Sequence, residues 1–193
     1  MAKYTGYVTI PHGTYTEWRN AVNGNFYDAD QLYGCQCMDL AMEFWYNVGF
    51  PQAYPHTSTG NADGVWSLRS ENLSYMGTTY FQTINDINDV LEGDIICYNS
   101  SPYGHIGFAN INYQDWVPDP EHPNEFPILS QNNGGTPDPS GEGTNVNIAG
   151  YDISYFQGAF RYLPWHATPP QPGYDRRSNF PWVLYARKLR ENM

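Results

Sequence analysis

The stretch Asp28-Ala-Asp-Gln-Leu-Tyr-Gly-Cys-Gln-Cys-Met-Asp39 constrains this chain most, because it joins an acidic loop to an apolar helical pattern and leaves a cysteine at the junction. After Gln36, the residues Ala41, Phe44, Trp45 and Val48 fall at i, i+3, i+4 and i+7, one face of a helix. Gly49 and Pro51 end that helix, and its face has to be buried.

The remaining pattern is mixed α and β. Thr14-x-x-Glu17 has the form of a capping box, and Trp18, Ala21 and Val22 follow before Gly24, so a short first helix is expected. Val65, Trp66 and Leu68 suggest a further short helical piece. Ile95 to Tyr98 reads as a buried strand and His105 to Ala109 as its neighbour, with hairpin-turn chemistry at Asn99 to Gly104. Ile128 to Asn132 is a third strand candidate, and Tyr155 to Leu163 a late one. The prolines from Pro164 to Pro172 read as a linker, and Phe180 to Leu189 alternates like an edge strand or docking segment.

At 193 residues the chain suits one domain with a sizeable core and a tail. A formal net charge of -11 repels phosphate backbones and anionic lipid, so nucleic acid and acidic membranes are poor partners for the body. Five of the nine basic residues, Arg176, Arg177, Arg187, Lys188 and Arg190, lie in the final eighteen positions and make a basic tail. No signal-peptide pattern begins the chain, and no apolar run approaches the ~20 residues that span a bilayer, so no membrane insertion is expected. Three cysteines do not make a disulfide framework, and at least one thiol is expected free.

The chemistry gathers at the helix start. Unpaired N–H groups and the helix dipole favour a thiolate there, which makes Cys37 a candidate nucleophile. A histidine has to accept its proton, and of five histidines His105 is best placed, at the head of an apolar strand after a Tyr-Gly turn. Asn132 at the end of the next strand candidate suits the group that orients the imidazole, although Asn132-Asn133-Gly134 also reads as a plain turn.

Taken in order, Asp28-x-Asp30-x-x-Tyr33-Gly34-x-Gln36-Cys37-x-Asp39, Gly93-Asp94-Ile95, Gly104-His105-Ile106 and Gln131-Asn132 resemble the CHAP family of cysteine, histidine-dependent amidohydrolases and peptidases, especially phage lysins. The resemblance runs over about residues 14 to 163 and implies a catalytic domain at 1–163, followed at 164–193 by a Pro-rich linker and a basic, aromatic docking segment. It implies a papain-like (NlpC-like) α+β fold with the nucleophile at a helix N-terminus packed on an antiparallel sheet. The implied activity is a peptidoglycan hydrolase, amidase or endopeptidase, with Cys37 as nucleophile, His105 as general base and Asn132 as orienting residue. The Cys37 N–H, with Gln36 nearby, is the candidate oxyanion site. The implied partner is bacterial peptidoglycan, with release from the host cytoplasm through a holin or delivery on a virion as the expected route. Ser130 stands where many lysins have a glutamate, so carboxylate help to His105 has to come from elsewhere or be absent. Cys35 is outside the pattern and reads as a bystander. The competing expectation is a catalytically silent wall-binding or virion structural module of the same fold.

Counted from Asp28, oxygen donors fall at positions 1, 3, 5, 7 and 12: Asp28, Asp30, the Leu32 and Gly34 carbonyls, and Asp39. That is the spacing of an EF-hand-type calcium loop, with Tyr33 in place of its glycine and aspartate in place of its final glutamate. Some CHAP lysins carry calcium in this loop, so a structural Ca2+ clamping the chain before Cys37 is expected. Zinc suits the hard oxygens poorly.

Overall fold

A computed structural model describes residues 13–51, 54–75, 79–112, 121–137 and 141–166. The basic, aromatic segment expected to dock at the C-terminus lies outside these residues. Helix α1 spans Tyr15–Val22, and the capping box that starts it is formed: Glu17 N–H donates to Thr14 Oγ1 and Thr14 N–H to Glu17 Oε2. Its buried face is Tyr15, Trp18 and Val22. Helix α2 spans Cys37–Asn47 and buries Leu40, Ala41, Phe44 and Trp45. Two short 3-10 turns, Ala62–Gly64 and Trp66–Leu68, lead into α3 at Arg69–Ser74.

Six strands follow: β1 Phe81–Ile84, β2 Ile95–Tyr98, β3 His105–Ala109, β4 Glu125–Ser130, β5 Asn147–Asp152 and β6 Phe156–Tyr162. They form one antiparallel sheet in the order β1-β6-β2-β3-β4-β5. The expected β2–β3 hairpin is present, and the late strand is β6, inserted between β1 and β2. β4 starts three residues before Ile128 and stops at Ser130, because Asn132 takes a left-handed φ of 56° that a ladder does not tolerate.

Alternation along the strands loads both faces. Ile95, Cys97, Ile106, Phe108, Leu129 and Phe160 meet α1 and α2 in the larger core, while Ile96, Tyr98, Ala109, Ile128 and Ala159 form a second cluster behind the sheet. Fully burying a side chain such as Phe44 or Leu40 stabilises the fold by about 1.5–3 kcal/mol. At Gly158 a Cβ would lie 2.2 Å from the Trp66 ring, so the missing side chain lets Trp66 pack on β6.

Helix α4, Leu163–His166, closes the described chain. Trp165 joins the larger core, with its ring 4.8 Å from that of Phe44 and 5.2 Å from that of Tyr15. The first residues of the Pro-rich stretch therefore belong to the folded unit. No helix among the described residues is long and apolar enough to cross a membrane.

Candidate functional site

The β3–β4 ladder is made at Phe108↔Leu129 and Ala109↔Ile128, and the two strands part toward His105. Helix α2 packs on β3. There the Ile106 backbone N–H, which has no ladder partner on β4, donates to the Cys37 sulfur, joined by the N–H groups of Met38 and of Cys37 itself. The helix start thus places the expected nucleophile beside the residue after the expected base.

His105 is positioned by the turn before it. Gly104 has φ 71°, and a Cβ there would lie 2.3 Å from the Asp63 backbone nitrogen, so only glycine lets this turn seat against the 3-10 turn at Ala62–Gly64. Asp63 N–H donates to Tyr103 O at 3.1 Å and holds the two together. The imidazole is buried, with Nε2 3.0 Å from Ser130 Oγ and its ring stacked on Tyr151 at 4.5 Å and 9°.

Burial dominates the electrostatics of both groups. It pushes the Cys37 thiol up to about 11, against the three N–H donors that pull it down, and it lowers His105 to about 3. Desolvation thus works against the helix-start effect and favours the neutral thiol and the neutral imidazole. Cys35 and Cys97 are buried, and all three cysteines are free thiols. Burial also raises the Cys97 thiol, with Cys37 adding to the shift.

The two expected helpers bond to each other. Asn132 Nδ2 donates to Gln36 Oε1 at 2.6 Å, so the left-handed turn after β4 sends this side chain to Gln36, and the hydroxyl of Ser130 meets His105 in its place. Gln36 Nε2 donates to Tyr33 O at 2.7 Å and to Glu142 O. Both of its hydrogens are therefore committed, and Gln36 braces three loops; the side chain has no donor left for an oxyanion.

The acidic loop brings its three aspartates together. One carboxylate oxygen each from Asp28, Asp30 and Asp39 lie within 4.8 Å of one another. Two ligands on opposite sides of a calcium ion at ~2.4 Å are ~4.8 Å apart, so one ion fits among them. Asp28 Oδ1 is buried with no hydrogen-bond partner among the described residues. Burial, with Asp30 adding to it, pushes the Asp39 carboxyl up to about 7 despite N–H donors from Gln36 and Ala29. Positive φ at Gln31, Tyr33 and Gly34 bends the loop back on itself, while Leu32 is exposed and Gly34 buried.

Sequence reasoning missed Tyr151 because β5 was not legible as a strand, and it read Ser130 as a departure instead of a partner. A tyrosine four residues after Asn147 carries no motif, and only the register Phe126↔Tyr151 brings it beside β4.

No family model matches the chain. The crystal structure of the wild-type endolysin LysIME-EF1 superposes with a TM-score of 0.54 at 26% identity, over 79% of this chain and 64% of that one. The fold is papain-like. Over 95 residues, 48% of the chain, the sequence is also 33% identical to a D-alanyl-L-alanine endopeptidase of Streptococcus phage B30. The match spans 20% of that relative's length. Cys37 heads helix α2 and His105 heads strand β3.

Proposed function

We propose that the chain is a CHAP-type peptidoglycan hydrolase of phage origin that cleaves an amide or peptide bond of the bacterial wall with Cys37 as nucleophile and His105 as general base. The observation that carries this reading is the Cys37 thiol at the start of α2, which accepts the N–H of Ile106, the residue that follows the buried His105 on β3. Similarity to a phage endopeptidase and to an endolysin supports the substrate class.

Because thiol and imidazole rest neutral, proton transfer accompanies attack. Ser130 occupies Nε2, which leaves Nδ1 to take the Cys37 proton. The sulfur bonds to the carbonyl carbon, and the carbonyl electron pair moves onto oxygen, facing the first-turn N–H groups of α2. Collapse breaks the C–N bond as His105 returns the proton to the leaving nitrogen. Water, activated by the same imidazole, then hydrolyses the thioester.

Asp28, Asp30 and Asp39 would hold a structural calcium ion, with the Leu32 and Gly34 carbonyls as further donors. The ion's contribution is to neutralise three crowded carboxylates and stiffen the loop that runs into Cys37. Action on the wall follows release through a holin or delivery on a virion.

Mass spectrometry of muropeptides released from purified Gram-positive walls tests the assignment. The wild-type chain is expected to generate new amine-terminated fragments and Cys37→Ala none. Wild-type protein that sediments with walls yet releases nothing would instead make this a silent wall-binding module.

A further inference from the structure

Among the described residues no carboxylate pairs with the imidazole of His105. Among the described residues its contacts are the neutral Ser130 hydroxyl at 3.0 Å and the face of Tyr151 at 4.5 Å and 9°. Tyr151 is itself held on two sides. Its ring packs at 4.5 Å against Tyr98, which is fully buried, and its hydroxyl hydrogen-bonds Ser100, in the turn that leads to His105.

We propose that Tyr151 is a positioning residue for His105, a fixed aromatic wall that holds the imidazole plane and carries the positive charge the ring acquires when it takes the Cys37 proton. This rests on the Cys–His reading above. When the sulfur bonds to the carbonyl carbon, its proton passes to His105 and the carbonyl pair to oxygen, so an imidazolium stands in a buried site where no anion among the described residues is paired to it. The π-face of an aromatic ring attracts a cation within about 6 Å of its centroid, most strongly where water is excluded. The nearly parallel stack places the whole charged ring against that face. The charge is transient, since His105 gives the proton to the leaving nitrogen as the C–N bond breaks, so the wall acts on the rate of reaction more than on substrate binding.

The test compares Tyr151→Phe, which keeps the ring, with Tyr151→Leu and Tyr151→Met, which keep apolar bulk without it. Two readouts are taken: kcat and KM on purified walls, and the rate at which iodoacetamide alkylates Cys37. The small neutral reagent needs the thiol activated but no wall-binding surface, so it reports on the clamp even where the wall assignment fails. Tyr151→Phe is expected to stay within about threefold of wild type in both readouts, as an intact π-face requires. The two aliphatic variants are expected to lose about tenfold in kcat and in alkylation rate, with KM within about twofold. Near-wild-type rates in either folded aliphatic variant would overturn the proposal. So would a loss in Tyr151→Phe as large as in Tyr151→Leu, which would assign the effect to the hydroxyl. A wild-type chain that is alkylated rapidly at Cys37 but cleaves no wall, with the aromatic-to-aliphatic contrast intact, would sink only the wall assignment.

Discussion

Replacing Ser130 and Asn132 separately by alanine distinguishes the residue that orients His105 from the one that does not. Ser130 is fully buried and its Oγ lies 3.0 Å from Nε2 of a histidine that is itself buried. Ser130→Ala strands that nitrogen without a partner, a loss of about 1–3 kcal/mol. A domain of this size then melts lower by about 2–4 °C per kcal/mol. To the extent that the same bond selects the tautomer used in attack, kcat falls by about tenfold for each 1.4 kcal/mol. Asn132, by contrast, is exposed and bonds Gln36, so water can replace it. Its removal costs about 0.5–1.5 kcal/mol at most, and kcat stays within about tenfold. Thermal melts and kcat on purified walls give both numbers. A Ser130→Ala variant with wild-type kcat, beside an Asn132→Ala variant that loses activity, would refute the assignment of Ser130.

Three further outcomes are expected. A chelator lowers the melting temperature of the wild type and added calcium restores it, by about 2.7 kcal/mol at a hundred times Kd, while a combined Asp28→Asn, Asp30→Asn variant responds to neither; an equal response in both proteins contradicts the site. His105, held near 3 by burial against an ordinary value of 6.5, makes the native state resist a proton that the unfolded chain accepts. Its stability contribution is complete above 6.5 and is lost as pH falls toward 3, at about 1.4 kcal/mol per unit, so wild type loses melting temperature over that window faster than His105→Gln. Parallel curves for the two proteins would count against the buried neutral imidazole. Trp165→Ala empties a place among the rings of Tyr15, Trp18, Phe44 and Tyr162, and melts lower by up to about 3–5 kcal/mol; an unchanged melt would detach α4 from the core.

Much of this architecture is written locally. The capping box at Thr14, the apolar stripe of α2 and the buried runs of β2 and β3 each declare themselves within a few residues, because helix period and strand period are local signals. The position of β6 between β1 and β2 is a long-range pairing with no local mark. β5 escaped because Asn147-Ile-Ala-Gly-Tyr-Asp152 lies between polar loops, contains a glycine and is half-buried along its length, so neither alternation nor an apolar run identifies it. At the candidate site, Cys37 and His105 are marked by their places at a helix start and a strand head, and the three aspartates by their spacing. Which side chain reaches His105 is decided by where β4 ends: the strand directs Ser130 inward, and the left-handed residue two positions later turns Asn132 toward Gln36. The electrostatics were legible in kind and not in balance, since the depth at which the helix start is buried comes from packing alone.

The most direct test of the central claim is intact-protein mass spectrometry of the chain quenched in acid during turnover of soluble muropeptides. The account predicts a covalent adduct with the mass of the acyl fragment, mapped to Cys37, and its absence in Cys37→Ser. Undiminished turnover by Cys37→Ser, with no adduct on the wild type, would contradict it.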